Sequence, residues 1–314
     1  MRKDFRQIAW DEPLQEDLRD LLRLAVREDL ADAGDCTTLA LVPEGARGRA
    51  AVVARQAGVV AGLPAAAMAL AQIDPRAHWR PQAEDGQTVG SGQCLARIEG
   101  PVHGILAAER LLLNLLGHLS GIATLARQYV EAVTGTKARI FDTRKTLPGW
   151  RRLEKYAVRC GGAWNHRTGL FEAILIKDNH LAWGSEADAT SGGAYRAAEA
   201  VRRARQYVAT HLPEPDASRM ILEVEVDTLD QLEQVLPEGP DIVLLDNMLP
   251  PQLREAVRRR DRLAPAVELE ASGGVSLETV RAIAESGVDR ISVGALTHSA
   301  ASLDLGLDWL GPCG

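Results

Sequence analysis

The sequence has no run of the roughly eighteen consecutive apolar residues that a membrane-spanning helix needs. Its first residues, MRKDFRQIAWDEP, also lack the apolar stretch of a secretory signal peptide. We therefore expect a cytoplasmic protein with no membrane partner.

Cysteine is scarce and scattered, at Cys36, Cys94, Cys160 and Cys313. No two of these residues form a C-x-x-C pair and none has a histidine at zinc-ligand spacing, which argues against a structural zinc site. Isolated cysteines of this kind are typical of reduced thiols in the cytosol.

The chain also lacks an excess of positive charge, because 36 Lys and Arg residues against 43 Asp and Glu residues give a net charge of −7. This balance argues against a nucleic-acid partner. Aromatic residues make up only 4% of the chain, and the many Ala, Leu and Arg residues are typical of a helix-rich α/β protein.

At 314 residues the chain is long enough for two domains, or for one large barrel with an appendage. We predict an N-terminal domain over residues 1–130 and a second domain over residues 131–299. Residues 300–314 are expected to pack back on the N-terminal domain, with a helix at residues 301–310.

The N-terminal part has two long helical patterns around a region of short strands. Apolar residues recur at helical spacing over residues 14–29 and again over residues 104–130, where Ser120 and Gly121 predict a break. Residues 46–99 have short apolar runs between glycine turns, which predicts a small mixed α/β domain.

Beyond Thr134 the pattern alternates between strand and helix, as expected of a βα barrel. Candidate strands cover residues 138–142, 173–176, 220–226, 242–245, 267–271 and 290–293. Candidate helices cover residues 195–209, 229–235, 251–259 and 277–285. Ser191, Gly192, Gly193 and Ala194 predict a mobile loop before the first of these helices.

Residues 141–180 form a basic island, with eight Lys and Arg residues against four Asp and Glu residues in a protein of net charge −7. Such a local concentration predicts a site for a small anionic ligand. Within the island, RRLEKYAVR at residues 151–159 has helical spacing. It either contributes to that site or forms a surface helix with pairs such as Arg151–Glu154.

Polar residues close each predicted strand, and the carboxyl ends of barrel strands meet at one face, where active sites are built. In chain order these residues are Asp142, Thr143, Arg144 and Lys145; Lys177; Glu223 and Glu225; Asp246 and Asn247; Ser272, Gly273 and Gly274; and Gly294.

The cations of this set, together with His166 and Arg167, are candidates for binding carboxylates and phosphates, because a guanidinium group pairs with planar anions through two hydrogen bonds. The alternative is a rim of salt bridges, with His166 as a hydrogen-bonded core histidine. Ser272, Gly273, Gly274 and Gly294 form glycine turns of the kind that hold a phosphate in barrels.

Glu225 and Asp246 are hard carboxylate ligands at successive strand ends, and such ligands can hold Mg²⁺ together with water and substrate oxygens. The alternative is that the two acids pair with nearby cations. Both interpretations hold if Lys145 and Lys177 pair with them while the site is empty.

Motifs along nearly the whole chain resemble the quinolinate phosphoribosyltransferase family. DTRKT, LEKYAVRCGG, NHR and LIKDNH come first, in that order and spacing. GDCTT and AERLLLNLLGHLSGIAT lie upstream, and LEVEVDT, IVLLDNM, EASGG and ISVGALTHS lie downstream. An ordered set of this length is far more specific than one short motif.

The resemblance implies an incomplete, seven-stranded βα barrel with an N-terminal α/β open-sandwich domain, so a strand missed above should lie near residues 164–170. It implies transfer of a phosphoribosyl group from 5-phosphoribosyl-1-pyrophosphate to quinolinate with decarboxylation, a step of NAD biosynthesis that uses Mg²⁺. It also implies a homodimer, or a higher oligomer built from it, in which Arg110 reaches the partner's site. Without the resemblance, Arg110 would be a solvated helix charge.

For this reaction we expect Lys145, Glu225 and Asp246 to be the catalytic residues, with Glu225 and Asp246 as the metal ligands. The expected substrate-binding residues are Arg110, Thr143, Arg144, Lys145, His166, Arg167, Lys177, Glu225, Asp246, Ser272, Gly273, Gly274 and Gly294.

Two other functions stay open at this point. One is a related phosphoribosyltransferase with a different acceptor, which failure to bind quinolinate would favour. The other is a non-catalytic protein that binds a phosphate ligand, or a nucleic acid through RRLEKYAVR; nucleic-acid binding would show a steep dependence on salt.

Overall fold

The computed structural model describes residues 3–186 and 197–312. The predicted loop at Ser191–Ala194 and the predicted helix start at Tyr195 lie outside these residues. Contacts divide the chain into two compact units. The barrel unit comprises Met1–Gln7, Tyr129–Arg144 and Trp164–Ala295, and the sandwich unit comprises Ile8–Gln128, Lys145–Ala163 and Leu296–Gly314. The predicted domain boundaries differ from these units at residues 1–7, 129–130, 145–163 and 296–299, and they stay a prediction.

The strands of the described residues are, in chain order, β1 Arg47–Ala54, β2 Gly58–Val59, β3 His78–Pro81, β4 Thr88–Val89, β5 Cys94–Pro101, β6 Arg139–Phe141, β7 Ala173–Ile176, β8 Ile221–Val226, β9 Ile242–Asp246, β10 Glu268–Ser272, β11 Arg290–Ser292 and β12 Leu305–Pro312. The α-helices are α1 Glu12–Leu30, α2 Cys36–Leu41, α3 Leu63–Ile73, α4 Val102–Ala132, α5 Arg151–Cys160, α6 Asp178–Glu186, α7 Ala197–His211, α8 Asp216–Arg219, α9 Leu229–Val235, α10 Pro250–Leu263, α11 Val280–Ala284 and α12 Ala295–His298.

In the barrel unit all six predicted strands are confirmed, and they form one parallel sheet in the order β6-β11-β10-β9-β8-β7. The seventh strand, expected near residues 164–170, is present only as a single parallel bridge between Trp164 and Phe141. The strands are mostly buried apolar runs, as expected of a parallel sheet that is covered on both faces.

The barrel strands carry buried charges at alternate positions. Because side chains alternate between the two faces of a strand, Glu223 and Glu225 of β8 share one face, as do Glu268, Glu270 and Ser272 of β10. Period-two alternation therefore brings several carboxylates to one face of each strand inside the barrel unit.

The sandwich unit has a four-stranded antiparallel sheet in the order β12-β1-β5-β3. Its core is built from small and branched side chains of β1 and β5, of α3 and of the first half of α4. The predicted C-terminal helix at residues 301–310 is wrong, because β12 pairs with β1 along its length. Gly306 and Gly311 disfavour a helix there, and the edge of β1 offers hydrogen bonds.

The predicted break at Ser120 and Gly121 is also wrong, because α4 is one continuous helix. Ser120 accepts a hydrogen bond from the backbone N–H of Ala61 at 3.0 Å. A Cβ atom on Gly121 would collide with the carbonyl oxygen of Ala301. Both residues therefore serve close packing and do not end the helix.

By length and composition α4 could cross a membrane. The sequence nevertheless has no uninterrupted run of roughly eighteen apolar residues. In its most apolar window, 61% of the residues are buried inside the chain. Core helices of soluble proteins pass the same test, so the helix is weak evidence for a membrane span.

The predicted helix RRLEKYAVR is confirmed as α5, but it does not present a plain surface face, because Glu154 and Lys155 are fully buried. Glu154 pairs with His118 at 2.9 Å, whereas the predicted partner Arg151 donates to the hydroxyl of Thr146. The sequence could not show this, because the partners lie on other segments.

Asp289 is a buried carboxylate of the barrel unit that should contribute strongly to stability. It accepts hydrogen bonds from Arg260 at 2.6 Å, from Lys137 at 2.9 Å and from the backbone N–H of Leu269 at 2.9 Å. Burial alone would raise its pKa, but these donors outweigh burial and hold the pKa below the usual range. We expect Asp289→Asn to lower the free energy of unfolding by about 3 kcal/mol at pH 7.

The measurement is urea unfolding of the Asp289 variant beside Asp32→Asn, which changes an exposed aspartate. Because the folded-state pKa of Asp289 is depressed, its stabilisation is present above the ordinary aspartate pKa and is lost as the pH falls through the folded-state value. The difference from wild type should therefore shrink in acid. Equal stability of the two variants at pH 7 would contradict this account.

Candidate active site at the carboxyl ends of the barrel strands

The ends of β8, β9 and β10 lie side by side in the parallel sheet. Asp246 is in register with Ser272, and Glu225 is in register with Leu244, two residues before Asp246. Three predicted site residues, Glu225, Asp246 and Ser272, therefore close neighbouring strands of the barrel unit.

Lys177 follows β7 and forms an ion pair with Glu225, which is one of the predicted pairings. Burial raises the pKa of Glu225, and the charges of Asp246 and Asp178 add to this effect, whereas Lys177 lowers it. This corner of the barrel is therefore locally acidic even with Lys177 present, and a further cation would stabilise it.

The turn after β10 is shaped by glycine. Gly273 and Gly274 have φ angles of +92° and +58°, in the region that favours glycine. A Cβ atom on Gly273 would collide with the side chain of Asn247, whose own backbone N–H donates to the carbonyl of Ser272 at 2.9 Å. The bond from Asn247 to Ser272 ties the ends of β9 and β10 together, and the side chain of Asn247 also donates to its neighbour Asp246 at 2.7 Å.

Two arginines of the predicted basic set, Arg144 and Arg167, lie close enough for the charge of Arg144 to act on Arg167. Arg167 is buried and donates to the carbonyl of Ala173 at 3.0 Å. Burial, followed by the positive charge of Arg144, lowers the pKa of Arg167. A pair of like charges in a buried place is suited to an anionic ligand, which would relieve the repulsion.

His166 is 95% buried, and its two ring nitrogens face protein groups. Nδ1 accepts a hydrogen bond from the backbone N–H of Arg167 at 2.8 Å. Nε2 lies 3.1 Å from Glu223 Oε2 and 3.5 Å from Glu270 Oε1. The predicted contact of His166 with substrate stays a prediction, and the contacts within the chain describe a ring that is held in place.

The charges of Glu223 and Glu270 outweigh the effect of burial and act to raise the pKa of His166. The N–H of Arg167 opposes this rise, because a protonated ring would turn a second N–H toward it. The geometry therefore favours the neutral ring with its proton on Nε2.

The segment before His166 is fixed by Asp142, which is fully buried after β6. Asp142 accepts from the backbone N–H of His166 at 2.8 Å and from the side chain of Asn165 at 2.7 Å. Asp142 thus connects the end of β6 to the NHR motif.

The remaining predicted residues differ in exposure. Thr143 and Arg144 are half-buried, and Gly294 directly precedes α12. Lys145 and Arg110 are exposed and belong to the sandwich unit. Lys145 also accepts a hydrogen bond through its backbone carbonyl, from Thr297 at 2.7 Å.

Sequence reasoning missed two residues that contact His166. Glu270 belongs to the strand motif ELEAS, where two glutamates alternate inside a buried run, and that alternation was a usable signal. Phe5 stacks on the ring of His166 with the ring centroids 4.2 Å apart, and nothing in the N-terminal sequence indicates it.

Two sets of residues could hold a metal ion. Among the described residues, His166, Glu223 and Glu270 form a cluster with three closely spaced ligand atoms. Glu225 and Asp246 offer two carboxylates at neighbouring strand ends, in the locally acidic corner described above. Two carboxylates with substrate oxygens and water suit Mg²⁺.

Family models match both parts of the chain. Residues 35–120 match the N-terminal domain of quinolinate phosphoribosyl transferase, and residues 122–308 match its C-terminal domain.

Curated and solved relatives agree with the family models. The chain is 47% identical over 292 residues to the nicotinate-nucleotide pyrophosphorylase [carboxylating] of Mycobacterium leprae, covering 92% of this chain and 96% of that protein. It is 38% identical to the probable enzyme of the same name from Bacillus subtilis, covering 93% of each. The solved nicotinate-nucleotide pyrophosphorylase of Francisella tularensis superposes with a TM-score of 0.84 at 34% identity, covering 98% of this chain and 100% of that one.

Fold, site and matches together define a phosphoribosyltransferase built on an incomplete βα barrel. Within that class, the chain belongs to the quinolinate phosphoribosyltransferase family.

Proposed function

We propose that this protein joins quinolinate to 5-phosphoribosyl-1-pyrophosphate and releases pyrophosphate, CO₂ and nicotinate mononucleotide. The ring nitrogen of quinolinate forms a bond to C1 of the ribose as the bond from C1 to pyrophosphate breaks. The bond to the 2-carboxylate then breaks, CO₂ leaves, and the ring carbon takes a proton. Family membership supports this reaction, as do the cationic and acidic groups at the strand ends.

The observation that carries the proposal for the acceptor is the burial of Arg167 near a second arginine, Arg144, whose charge adds to burial in lowering the pKa of Arg167. Quinolinate brings two carboxylates, and a partly buried dianion needs paired cations because its desolvation is costly. In this proposal Arg144 and Arg167 hold the carboxylates, and His166 acts through the backbone of Arg167, to which its ring is hydrogen-bonded. Thr143 adds a hydroxyl beside Arg144.

The donor, 5-phosphoribosyl-1-pyrophosphate, binds at the carboxyl ends of the remaining barrel strands. Ser272, Gly273, Gly274 and Gly294 take the 5-phosphate on backbone N–H groups. Lys145 and Lys177 stabilise the negative charge that develops on the leaving pyrophosphate. Glu225 and Asp246 face the ribose, where their charges stabilise the cation that develops at C1.

Glu225 and Asp246 are also the residues that would hold Mg²⁺. The raised pKa of Glu225 supports this assignment, because a divalent cation beside it would offset burial and the neighbouring acids. When bound, Mg²⁺ would neutralise charge on the pyrophosphate and orient it for departure.

We also propose a homodimer in which the exposed Arg110 of one protomer completes the quinolinate site of the other. If this is so, mixing inactive Arg110→Ala protein with inactive Asp246→Asn protein should restore about a quarter of wild-type activity, because statistical exchange leaves one intact site in half of the dimers. Activity assays after subunit exchange test this. Mixtures that stay inactive although the subunits have exchanged would refute the shared site.

A cytoplasmic location is part of the proposal. Cys36, Cys94 and Cys160 are free thiols, which supports a reducing compartment.

The pH profile tests the role of Glu225. In this proposal Glu225 acts as a carboxylate, so activity is lost as the pH falls through its raised pKa. Lys177 lowers that pKa, so Lys177→Met should move the acid limb of kcat/KM to higher pH. Lys177→Arg keeps the charge and should leave the limb near its wild-type position. An acid limb that Lys177→Met leaves in place would contradict this role.

The reaction itself is tested by comparing acceptors. Purified protein with 5-phosphoribosyl-1-pyrophosphate and Mg²⁺ should release pyrophosphate with quinolinate and far less with nicotinate or phthalate, and a chelator should abolish the release. Release with another acceptor but not with quinolinate would assign the chain to a different phosphoribosyltransferase.

A further inference from the structure

The N-terminal segment Lys3–Gln7 is anchored to the barrel unit by hydrogen bonds at nearly every residue. Lys3 donates to the carbonyl of Met220 at 2.7 Å, and Asp4 accepts from Arg290 at 3.1 Å. Gln7 accepts from the backbone N–H of Asn165 at 2.8 Å and donates to the carbonyl of Asn165 at 3.1 Å. The segment is therefore tied to the residue that directly precedes His166.

This anchoring places Phe5 next to the imidazole of His166 and the guanidinium of Arg290. Its ring is 97% buried and stacks on His166 at 4.2 Å with an interplanar angle of 28°. The guanidinium of Arg290 lies 5.4 Å from the Phe5 centroid. One face of the imidazole is therefore covered by an aromatic ring that cannot shift without disturbing Arg290.

The edge of the imidazole is fixed by hydrogen-bonding groups. The Arg167 N–H donates to Nδ1, so in the neutral ring the proton sits on Nε2. Glu223 and Glu270 are fully buried, and His166 Nε2 lies 3.1 Å from Glu223 Oε2 and 3.5 Å from Glu270 Oε1. The Nε2 proton therefore points between two carboxylates.

Two arginines lie near the buried carboxylates. The charge of Glu223 acts on Arg167, and the charge of Glu270 acts on Arg290, which also forms ion pairs with Glu268 and Asp4. The hydrogen bond from the Arg167 N–H to Nδ1 therefore decides which nitrogen of His166 carries the proton.

The hydrogen bond that Nδ1 accepts also argues against a metal ion bound by His166, Glu223 and Glu270. A histidine that binds a metal through Nε2 donates a proton from its other nitrogen. Here the other nitrogen accepts a hydrogen bond, so Nε2 carries the proton and cannot act as a ligand.

We propose that Phe5, Glu223 and Glu270 are positioning residues for quinolinate binding. They hold the His166 ring in one orientation, with its Nε2 proton toward the two carboxylates, and the ring in turn fixes the backbone of Arg167. The inference rests on the proposed function, in which Arg167 binds quinolinate. It gives the N-terminal segment a role in recognition of the acceptor.

Kinetics of Phe5 variants test the proposal. Phe5→Ala removes the stacked ring, and we expect the KM for quinolinate to rise about 10- to 100-fold while the KM for 5-phosphoribosyl-1-pyrophosphate changes little. Phe5→Leu keeps most of the apolar volume and should recover much of the loss. Phe171→Ala makes the same change at an exposed position and should match wild type.

A merely structural role for Phe5 gives a different result. Phe5→Ala would then reduce the amount of folded enzyme and lower kcat per total protein, with both KM values unchanged. That outcome would overturn the proposal.

The tautomer of His166 supplies a second readout that does not need turnover. In wild-type protein labelled with ¹⁵N-histidine, the signal that is lost in His166→Gln should show a protonated Nε2 and an unprotonated Nδ1. A ring protonated only on Nδ1, or one metal ion per chain bound in purified protein and lost in Glu270→Gln, would overturn the proposal. Because this measurement needs no substrate, its outcome is independent of whether the proposed reaction is correct.

Discussion

Arg144→Ala should lower kcat/KM for quinolinate by about 10³-fold. Arg144 is half-buried after β6, and its charge acts on the buried Arg167. In the proposal Arg144 forms an ion pair with a carboxylate of quinolinate. Removing one partner of such a buried, hydrogen-bonded pair costs on the order of 2–5 kcal/mol, and the upper part of that range corresponds to about 10³-fold in rate. The decrease should appear in kcat/KM for quinolinate more than in kcat/KM for 5-phosphoribosyl-1-pyrophosphate, because Arg144 is proposed to bind quinolinate.

The matched control is Arg254→Ala, which removes an exposed arginine on α10. We expect wild-type kinetics from it. Steady-state assays in which each substrate is varied in turn distinguish the Arg144→Ala variant from the Arg254→Ala variant. A normal kcat/KM for quinolinate in Arg144→Ala would show that Arg144 and Arg167 do not bind quinolinate as a pair.

Asp246→Asn should lower kcat by about 100- to 1,000-fold, with a smaller effect on quinolinate binding. Asp246 ends β9 in register with Ser272 of β10, and its charge raises the pKa of Glu225. The substitution keeps the shape of the side chain and removes a charge that is assigned to Mg²⁺ and to the developing ribosyl cation. A group that acts mainly in the transition state affects kcat.

Asp227→Asn is the control for this prediction, because Asp227 follows β8 and is exposed. Assays over a range of Mg²⁺ concentrations should show a weaker dependence on the metal in Asp246→Asn and a normal dependence in Asp227→Asn. A normal kcat in Asp246→Asn would refute the catalytic role of this carboxylate.

The barrel was predictable because its signals are local. The six strands lie in short segments rich in apolar residues, with polar residues at or just after their carboxyl ends, and parallel pairing brings those ends together. Glu225, Asp246 and Ser272 could therefore be assigned to neighbouring strand ends before any contact was known.

The parts that were wrong or missed depend on contacts between distant segments. The pairing of β12 with β1 joins the C-terminus to a strand some 250 residues earlier. Phe5 reaches His166 only because Lys3–Gln7 is anchored to the barrel unit, and the buried Glu154 pairs with His118 of α4. A residue's own neighbours in sequence carry no information about such partners.

The most direct test of the whole account is the stoichiometry of the products. Purified protein is incubated with 5-phosphoribosyl-1-pyrophosphate, Mg²⁺ and quinolinate labelled in its 2-carboxylate, beside the Arg144→Ala variant. The account predicts equal amounts of labelled CO₂ and pyrophosphate from wild type and almost none from the variant. Pyrophosphate without CO₂, or equal turnover by both proteins, would contradict it.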